Sequence, residues 1–440
     1  QVDFEPGDPR NPMNFSVTRK WAITVTACAF TGLAASAIST YTIGILTMTR
    51  DLNCSTFEAT VGLSVYPLGF SLVPLLTSSL SEEFGRFRLY IISSLLFMLT
   101  HVMIALAPNI QTVIIARLLG GAFGSTGATL VGGTIADIWR PHERGFPMAL
   151  FAIAAIGATG VGPLLAGWIE SNKQLEWRWI QWISAIVSGV YFISVLLFLT
   201  ETRSDIILAR LACKIRKEKH DDRYRVRAEN NKPSLLTLIK MSSVRPIALL
   251  TEPIVLSFSV WIGFTWGVLF CFIEYVVYIR TGYNHVMMVR QVYIRRLYEG
   301  GTGRRLGVSV RTTHALSCYG TTQWILGRAV HAYMSIPVGS RTAATRAEYS
   351  RASGPFLSIH RLIPSVLTGN LLGAIFPLFA QQIYDSLAYK WANTLFALVS
   401  VAMIPIPYIL FIYGAAIRRR SKVSRRILAV EEEKASMETR

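Results

Sequence analysis

GATGVGPLLAGWIE, residues 157–170, sets four glycines and a proline inside an apolar run. Such a stretch can be a loop that cradles phosphate, a set of turns in a soluble domain, or a helix thinned so that another can approach. Its flanks decide. Apolar sequence extends from Phe146 to Ile169, enough for a helix to cross the roughly 30 Å hydrocarbon core of a bilayer. No strand pattern precedes the run and no lysine follows it, as a phosphate loop requires. A phosphate loop at that depth would also leave backbone groups unpaired in hydrocarbon. The run therefore reads as a membrane helix in which Gly157, Gly160, Gly162 and Gly167 remove bulk for close packing and Pro163 permits a kink. Two uses follow: a tight helix contact, or a bending helix at the interface between two moving halves.

The rest of the chain agrees with a membrane setting. Of its 440 residues 52% are hydrophobic and 16% charged, against roughly 25% charged in soluble domains, and the mean hydropathy is +0.40. Apolar runs of membrane length lie at 22–47, 59–80, 89–107, 113–136, 146–169 and 180–200, then at 253–279, 362–379 and 391–413. The first run is too long for a cleavable signal peptide, so none is expected.

The net charge of +18 is distributed by the membrane rather than gathered for nucleic acid. Lys and Arg collect in alternate connections: Arg19 and Lys20, Arg86 and Arg88, Arg140 and Arg144, twelve between Arg203 and Arg245, and the stretch from Arg418 to Arg426. The positive-inside rule assigns these to the cytosol, which puts both termini inside and a basic surface against anionic lipid. No basic patch with interleaved aromatics stands apart, and nucleic-acid binding is not expected. Five cysteines without CxxC spacing indicate neither a disulfide framework nor a metal site. Asn53, Cys54 and Ser55 form a glycosylation sequon in an outer connection.

An internal repeat favours the moving interface. GVGPLLAG passes through a polar loop to EWRWIQWI, and GNLLGAIFPLFA passes through QQIYDSL to AYKWANTLF. Each unit has a span bearing Gly and Pro, a short loop, an aromatic-basic-Trp triplet and another span. Two halves joined by a long basic linker are what a transporter with parallel repeats shows.

DPRNPMNFSVTRKW, SSLSEEFGRF, ARLLGGAFGS, GGTIADIW, GVGPLLAGWI, WRWIQWI, TEPIVLSFSVWIGFTWG, GAIFPLFAQQIY and YKWANTLF together resemble the twelve-span fungal drug:proton antiporters of the major facilitator superfamily, near the polyamine and multidrug transporters. The resemblance covers residues 8–275 and 373–425. It implies an all-α polytopic membrane protein with two six-helix bundles, exporting small organic molecules against protons by alternating access, the bundles rocking about spans five and eleven. The chain departs from the family pattern at several points. Phe87 follows Gly85 and Arg86 where a second basic residue is usual, Ala166 precedes Gly167 and Ala158 stands in place of glycines, and Gly369 stands where family members often carry arginine.

The largest departure is 286–352, where the family places spans eight to ten. Ten arginines fall there with no lysine, no aspartate and no apolar run of membrane length, and a central Arg costs about 2.5–3.5 kcal/mol even on a lenient insertion scale. The only crossing candidate is 314–339, interrupted by Arg328. A segment translated out of frame, or read through an intron, accounts for the arginine bias and for the abrupt return of family motifs. The second bundle is accordingly expected to be incomplete.

Ionisable residues within spans are functional candidates by default. Arg117, in the first turns of span four, resembles the arginine that the family links to proton coupling; the competing reading has it snorkel to the outer interface. His101 beside Thr100 reads as structural, Glu252 before Pro253 as a helix start, and Glu274 as wet. Glu82, Arg86 and Asp137 gather at the inner membrane face, where opposite charges attract more strongly than in bulk water, and form a candidate inner gate. The competing reading is solvated charges worth under about 1 kcal/mol per pair. Tyr41, Tyr66, Phe70, Trp261 and Trp266 offer aromatic surface for an apolar or cationic substrate. A polyamine would want acidic residues facing the cavity, and none is securely placed there, so a broader amphipathic or aromatic substrate is favoured.

The expected layout is a cytosolic segment at 1–20, a six-helix bundle at 21–200, a basic linker at 201–251, a second bundle at 252–416 and a cytosolic tail at 417–440. The expected partners are a small organic substrate, protons and the lipid bilayer, without nucleic acid, in a monomer at the plasma membrane. No nucleophile and base, metal-ligand spacing or nucleotide loop is found, so neither an enzyme nor a cofactor is expected. The runner-up is a chain of the same descent that no longer transports.

Overall fold

The computed structural model describes residues 3–5, 7–172, 175–221, 224, 226, 253–282, 355–403 and 405–406, some of them inside helices by backbone alone. The described residues form two compact units: one holds the helices up to residue 219, and the other holds the next helix up to Phe272 together with the last.

After a 3-10 turn at Pro12–Asn14 come α1 (Val17–Ile43), the short α2 (Ile45–Asp51), α3 (Thr56–Leu72), α4 (Pro74–Phe84), α5 (Arg86–Ala105), α6 (Ile110–Ile138), α7 (Gly145–Glu170), α8 (Glu176–Phe198) and α9 (Ser204–Lys219). The sequence punctuates these helices legibly. Ser16 accepts from the Arg19 amide at 3.4 Å to cap α1. Ser55 and Glu58 close a capping box on α3. Asn109 accepts from the Thr112 amide at 2.9 Å to open α6. Gly85, at φ +87°, turns the chain from α4 into α5, a conformation glycine adopts without a Cβ penalty. Among the described residues, six stretches are long and apolar enough to cross a membrane, α3 and α4 contributing one between them over Thr56–Thr77. They coincide with the first six of the nine runs read from the sequence.

Within this unit α6 lies against α1, α3 and α5, and α1 against α6, α7 and α8. Buried hydroxyls turn back onto their own helix: Thr24 donates to the Lys20 carbonyl, Thr100 to Phe97 and Thr134 to Leu130, at 2.7–2.9 Å. This satisfies them without water. At the inner end Trp21 meets Trp139 and Phe146 edge-on at 5.1 and 5.4 Å. Phe4 packs on the Leu208, Ala212 and Val226 cluster of α9, tying the N-terminal segment to the helix after the last span.

A close seam follows the glycines of α6. A Cβ added at Gly124 would lie 2.8 Å from the Tyr66 hydroxyl, and one at Gly127 2.5 Å from the Phe30 ring; at Gly121 it would run into the Tyr66 backbone. The ARLLGGAFGSTG run thus excludes side-chain bulk, as Gly162 of α7 does against α1.

In the second unit α10 (Pro253–Gly282) and α11 (Pro355–Met403) interlock through glycines four apart on each helix. Cβ atoms at Gly263 and Gly267 would meet Leu372 and Phe376, and at Gly369 and Gly373 they would meet Trp266 and Phe270. The two expected spans at 362–379 and 391–413 are here one uninterrupted helix as far as Met403. The polar QQIYDSL stretch does not break it, because no glycine or proline falls between Pro377 and Pro405. The corresponding loop in the first unit, between α7 and α8, is present. The arginine-rich segment 286–352 lies outside the described residues, as do the expected spans eight to ten and the completeness of the second bundle.

Candidate functional site

Arg117 stands about 12 Å along α6 from the Asn109 cap and is 1% exposed. Its Nη1 donates to the Ala37 carbonyl of α1 at 2.8 Å, and its Nε to the Gly62 carbonyl of α3 at 3.2 Å. The Tyr41 and Tyr66 rings lie 4.3 and 4.4 Å from the guanidinium carbon. Those rings are themselves fixed, Tyr41 donating to the Ala59 carbonyl at 3.0 Å and Tyr66 to the Ala34 carbonyl at 2.9 Å. Gly62 is needed because a Cβ there would collide with the Tyr41 hydroxyl. Arg117 therefore does not snorkel outward; it pins α1, α3 and α6 together.

Among the described residues this guanidinium is held by carbonyls and rings without an ion-pair partner, and its Nη2 is buried without a hydrogen-bond partner. Desolvated cation-π contacts are worth about 2 kcal/mol or more each and charged hydrogen bonds about 1.5–3. Together these roughly match the several kcal/mol that a buried ion costs. The arginine's burial is thus roughly offset rather than strongly stabilising.

One turn outward on the neighbouring helix, His101 is buried with Nδ1 2.9 Å from Oε1 of Gln181 on α8 and its ring edge-on to Phe97 at 4.8 Å. Phe70 stacks on Tyr66 at 6.3 Å. The aromatic residues proposed for substrate thus divide: Tyr41 and Tyr66 are occupied in holding Arg117, while Trp261 and Trp266 belong to the second unit, Trp261 buried and Trp266 against Phe270. Glu252 lies outside the described residues, and Glu274 is described by its backbone alone.

At the end of the bundle where α5 begins and α6 ends, Arg86 and Asp137 form an ion pair, Nε to Oδ2 2.6 Å. Arg86 is buried, and the guanidinium lies over Gly133, where a Cβ would clash with it. The side chain of Glu82 lies outside the described residues, so its place in this cluster remains a proposal. The structure adds a residue the sequence reading missed. Glu201, just beyond α8, accepts from the backbone amides of Arg86, Thr202 and Arg203, each at 3.1 Å through Oε1. The Thr202 hydroxyl reaches Asp137 at 3.5 Å. Arg144 closes the end of α6, donating to the Ala136 and Trp139 carbonyls at 2.7 and 2.9 Å. The available signal was ETR at 201–203, charges directly after the last residues of a span.

A second tie fastens the opposite end. Arg178 pairs with Asp51 at 2.9 Å and donates to the Ala105 and Ala107 carbonyls at 2.9 and 3.1 Å. The Trp177 indole reaches the same Asp51 oxygen at 3.1 Å, and Thr47 bonds Glu170 at 3.2 Å. The WRW triplet, noticed only as a repeat, thus joins the ends of α2, α5 and α8.

Of the α7 glycines, only Gly162 meets a neighbour: its Cβ position lies 2.7 Å from the Ser39 hydroxyl and 3.2 Å from the Ser36 carbonyl on α1, while Gly157, Gly160 and Gly167 face no described atom within 4 Å. α7 runs through Pro163 as one helix. Ala158, where the family pattern favours glycine, lies in the same α1 seam, 3.6 Å from the Cβ position of Gly32.

Comparison with known proteins places this geometry. Residues 25–293 match the family profile described as Major Facilitator Superfamily, a match that stops just inside the arginine-rich segment. The citrinin biosynthesis cluster MFS transporter mrr1 of Monascus ruber is 29% identical over 95% of this chain and 91% of its own length. The MFS-type efflux pump MFS2 of Trichophyton rubrum is 31% identical over 96% of this chain and 77% of its own. Among solved structures, the inward-open xylose transporter XylE of E. coli superposes with a TM-score of 0.52 at 14% identity, covering 87% of this chain and 95% of that one. A bacterial homolog of the human lysosomal transporter Spinster gives 0.50 at 12% identity, over 90% and 81%. The all-helical bundle, its six apolar spans and these matches have one reading: the chain belongs to the major facilitator superfamily and is a multi-pass membrane transporter of small molecules, not an enzyme.

Proposed function

We propose that the protein is a proton-coupled exporter of small amphipathic or aromatic molecules, working as a monomer in the plasma membrane with both termini cytosolic. The observation that carries this reading is Arg117, a cation fixed in the dry centre of the first bundle by carbonyls and aromatic rings. A group so costly to bury is retained where its field acts on a mobile charge. The printed names of the relatives, an efflux pump and biosynthesis cluster transporters, support export of an organic product. In the proposed cycle the inner cluster of Glu82, Arg86, Asp137 and Glu201 holds the cytosolic ends of α4, α5, α6 and α8 together in one state, and Gly157, Gly160, Gly162, Pro163 and Gly167 let α7 move. Phe70, Trp261 and Trp266 remain the proposed substrate-facing aromatics. The deciding experiment is uptake into inside-out membrane vesicles with an imposed pH gradient, using a panel of aromatic cations, aromatic acids and spermidine. Gradient-driven accumulation of an aromatic member supports the reading, and accumulation of spermidine alone would move it to polyamine transport.

A second reading rests on the ten arginines at 286–352. If that sequence stands in the mature message, the second bundle lacks three apolar spans and the chain is a transporter by descent that no longer transports.

A further inference from the structure

We propose that His101 is the side chain that takes up and releases the transported proton, with Arg117 as the charge that confines the protonated form to the outward-open state. This rests on the proton-coupled reading above. A guanidinium does not give up its proton in proteins, so Arg117 can steer a proton but cannot carry one. A histidine has an ordinary pKa of about 6.5, between an acidic exterior and a neutral cytosol.

The position of His101 suits that task. It lies four residues before Ala105, the last residue of α5, so about 6 Å of helix separates it from the outer end. It is nonetheless buried. On the helix packed against its other side, the Cβ position of Gly120 lies 3.2 Å from Oγ1 of Thr100, the residue beside His101. Gly120 is three residues beyond Arg117 on α6, which sets the Arg117 turn next to the His101 turn.

The groups facing the ring are few. α6 brings Arg117. α8 brings the neutral amide of Gln181 and, at its outer end, Arg178, which is engaged with Asp51 and two carbonyls. α4 brings Glu82 and Glu83, but near its inner terminus. The ring's side-chain hydrogen bond is to an amide, not a carboxylate. An imidazolium there would be a second buried cation beside Arg117, at a cost of several kcal/mol.

The proton balance is simple. Nδ1–H donates to Oε1 of Gln181, leaving the Nε2 lone pair open. When the outer end of the α5, α6 and α8 seam hydrates, hydronium transfers its proton to Nε2, leaving water and an imidazolium. Closure brings the imidazolium against Arg117, and the Nε2–H bond breaks to water on the inner side, restoring the neutral ring. Gln181 is a positioning residue: it fixes the tautomer and the direction of the free lone pair.

The test uses full-length protein in inside-out vesicles and the fluorescent aromatic cation rhodamine 6G, at luminal pH 5 to 8. His101→Gln keeps a side chain able to bond Gln181, and detergent-solution melting confirms its fold. It should lose gradient-driven accumulation by tenfold or more while retaining gradient-independent dye exchange. Gln181→Glu puts a carboxylate beside Nδ1 and should move the pH midpoint of transport upward by about one unit or more, a shift that a purely structural role would not produce. Gradient-driven transport unchanged in His101→Gln, with an unmoved midpoint in Gln181→Glu, overturns the role of His101 and leaves proton coupling standing. Wild-type dye transport indifferent to the gradient overturns both.

Discussion

A cation buried without a carboxylate has to be shared among weak partners, and Arg117 distributes its charge over two carbonyls and two rings on two helices. Replacement by Ala should remove gradient dependence, and by Lys restore only part of it. Lysine keeps the charge but has no planar fork to span the Ala37 and Gly62 carbonyls. Equal transport by wild type and Arg117→Ala at every pH, measured in the vesicle assay, would reject the role. Glu201 makes a separate case. One carboxylate oxygen receives three backbone amides, and its neighbour Gly85 has no Cβ, which would otherwise strike that carboxylate. Glu201→Gln retains the shape but gives up charge-assisted bonding, and should destabilise the solubilised protein by about 1–3 kcal/mol, read as a lower Tm. The Arg86 and Asp137 pair should be non-additive with it in a double-mutant cycle, since both hold the start of α5. Arg117 was legible as an ionisable residue within an apolar span. Glu201 was not, because a carboxylate at a span boundary looks like any solvated charge until its amide donors are in place.

At the scale of the helix, glycine content alone does not reveal which faces touch. α6 and α7 are both glycine-rich, yet Gly121 and Gly124 abut Tyr66 whereas Gly157 and Gly160 face open space within the described residues. Gly121→Ala should therefore destabilise by about 1–3 kcal/mol through overpacking, and Gly160→Ala should leave the Tm unchanged. Gly162→Leu should abolish transport while the protein still reaches the membrane, because the added bulk enters the α1 seam at Ser36 and Ser39. Gly160→Leu separates hinge from packing: lost transport at unchanged Tm supports a moving α7, and wild-type transport in that variant leaves only the Gly162 contact. The caps at Ser16, Ser55 and Asn109 and the six apolar spans could be read directly from the chain. The unbroken α11 could not, since polar residues suggest a loop but only a glycine, a proline or a missing hydrogen-bond partner ends a helix.

For the whole molecule, the outer tie at Arg178 and the inner tie at Arg86 and Glu201 fasten both ends of the first bundle. Asp51→Asn should loosen the outer end and raise hydrogen exchange at the ends of α2 and α5 without altering exchange at the inner cluster. The segment 286–352 carries the other molecular prediction: sequencing the mature transcript should restore an apolar reading frame across it, and an intact frame would favour the chain that no longer transports. Composition, the first six spans, the positive-inside pattern and the family motifs were determined by the sequence alone, because a bilayer imposes its length and charge rules on each segment separately. Which glycines meet a neighbour, what holds Arg117, and the contacts of Glu201, Arg178 and His101 were decided only by the tertiary structure. Those depend on contacts between residues 50 to 130 positions apart, where the rotation of one helix about its axis determines whether a side chain meets a carbonyl, a ring or nothing.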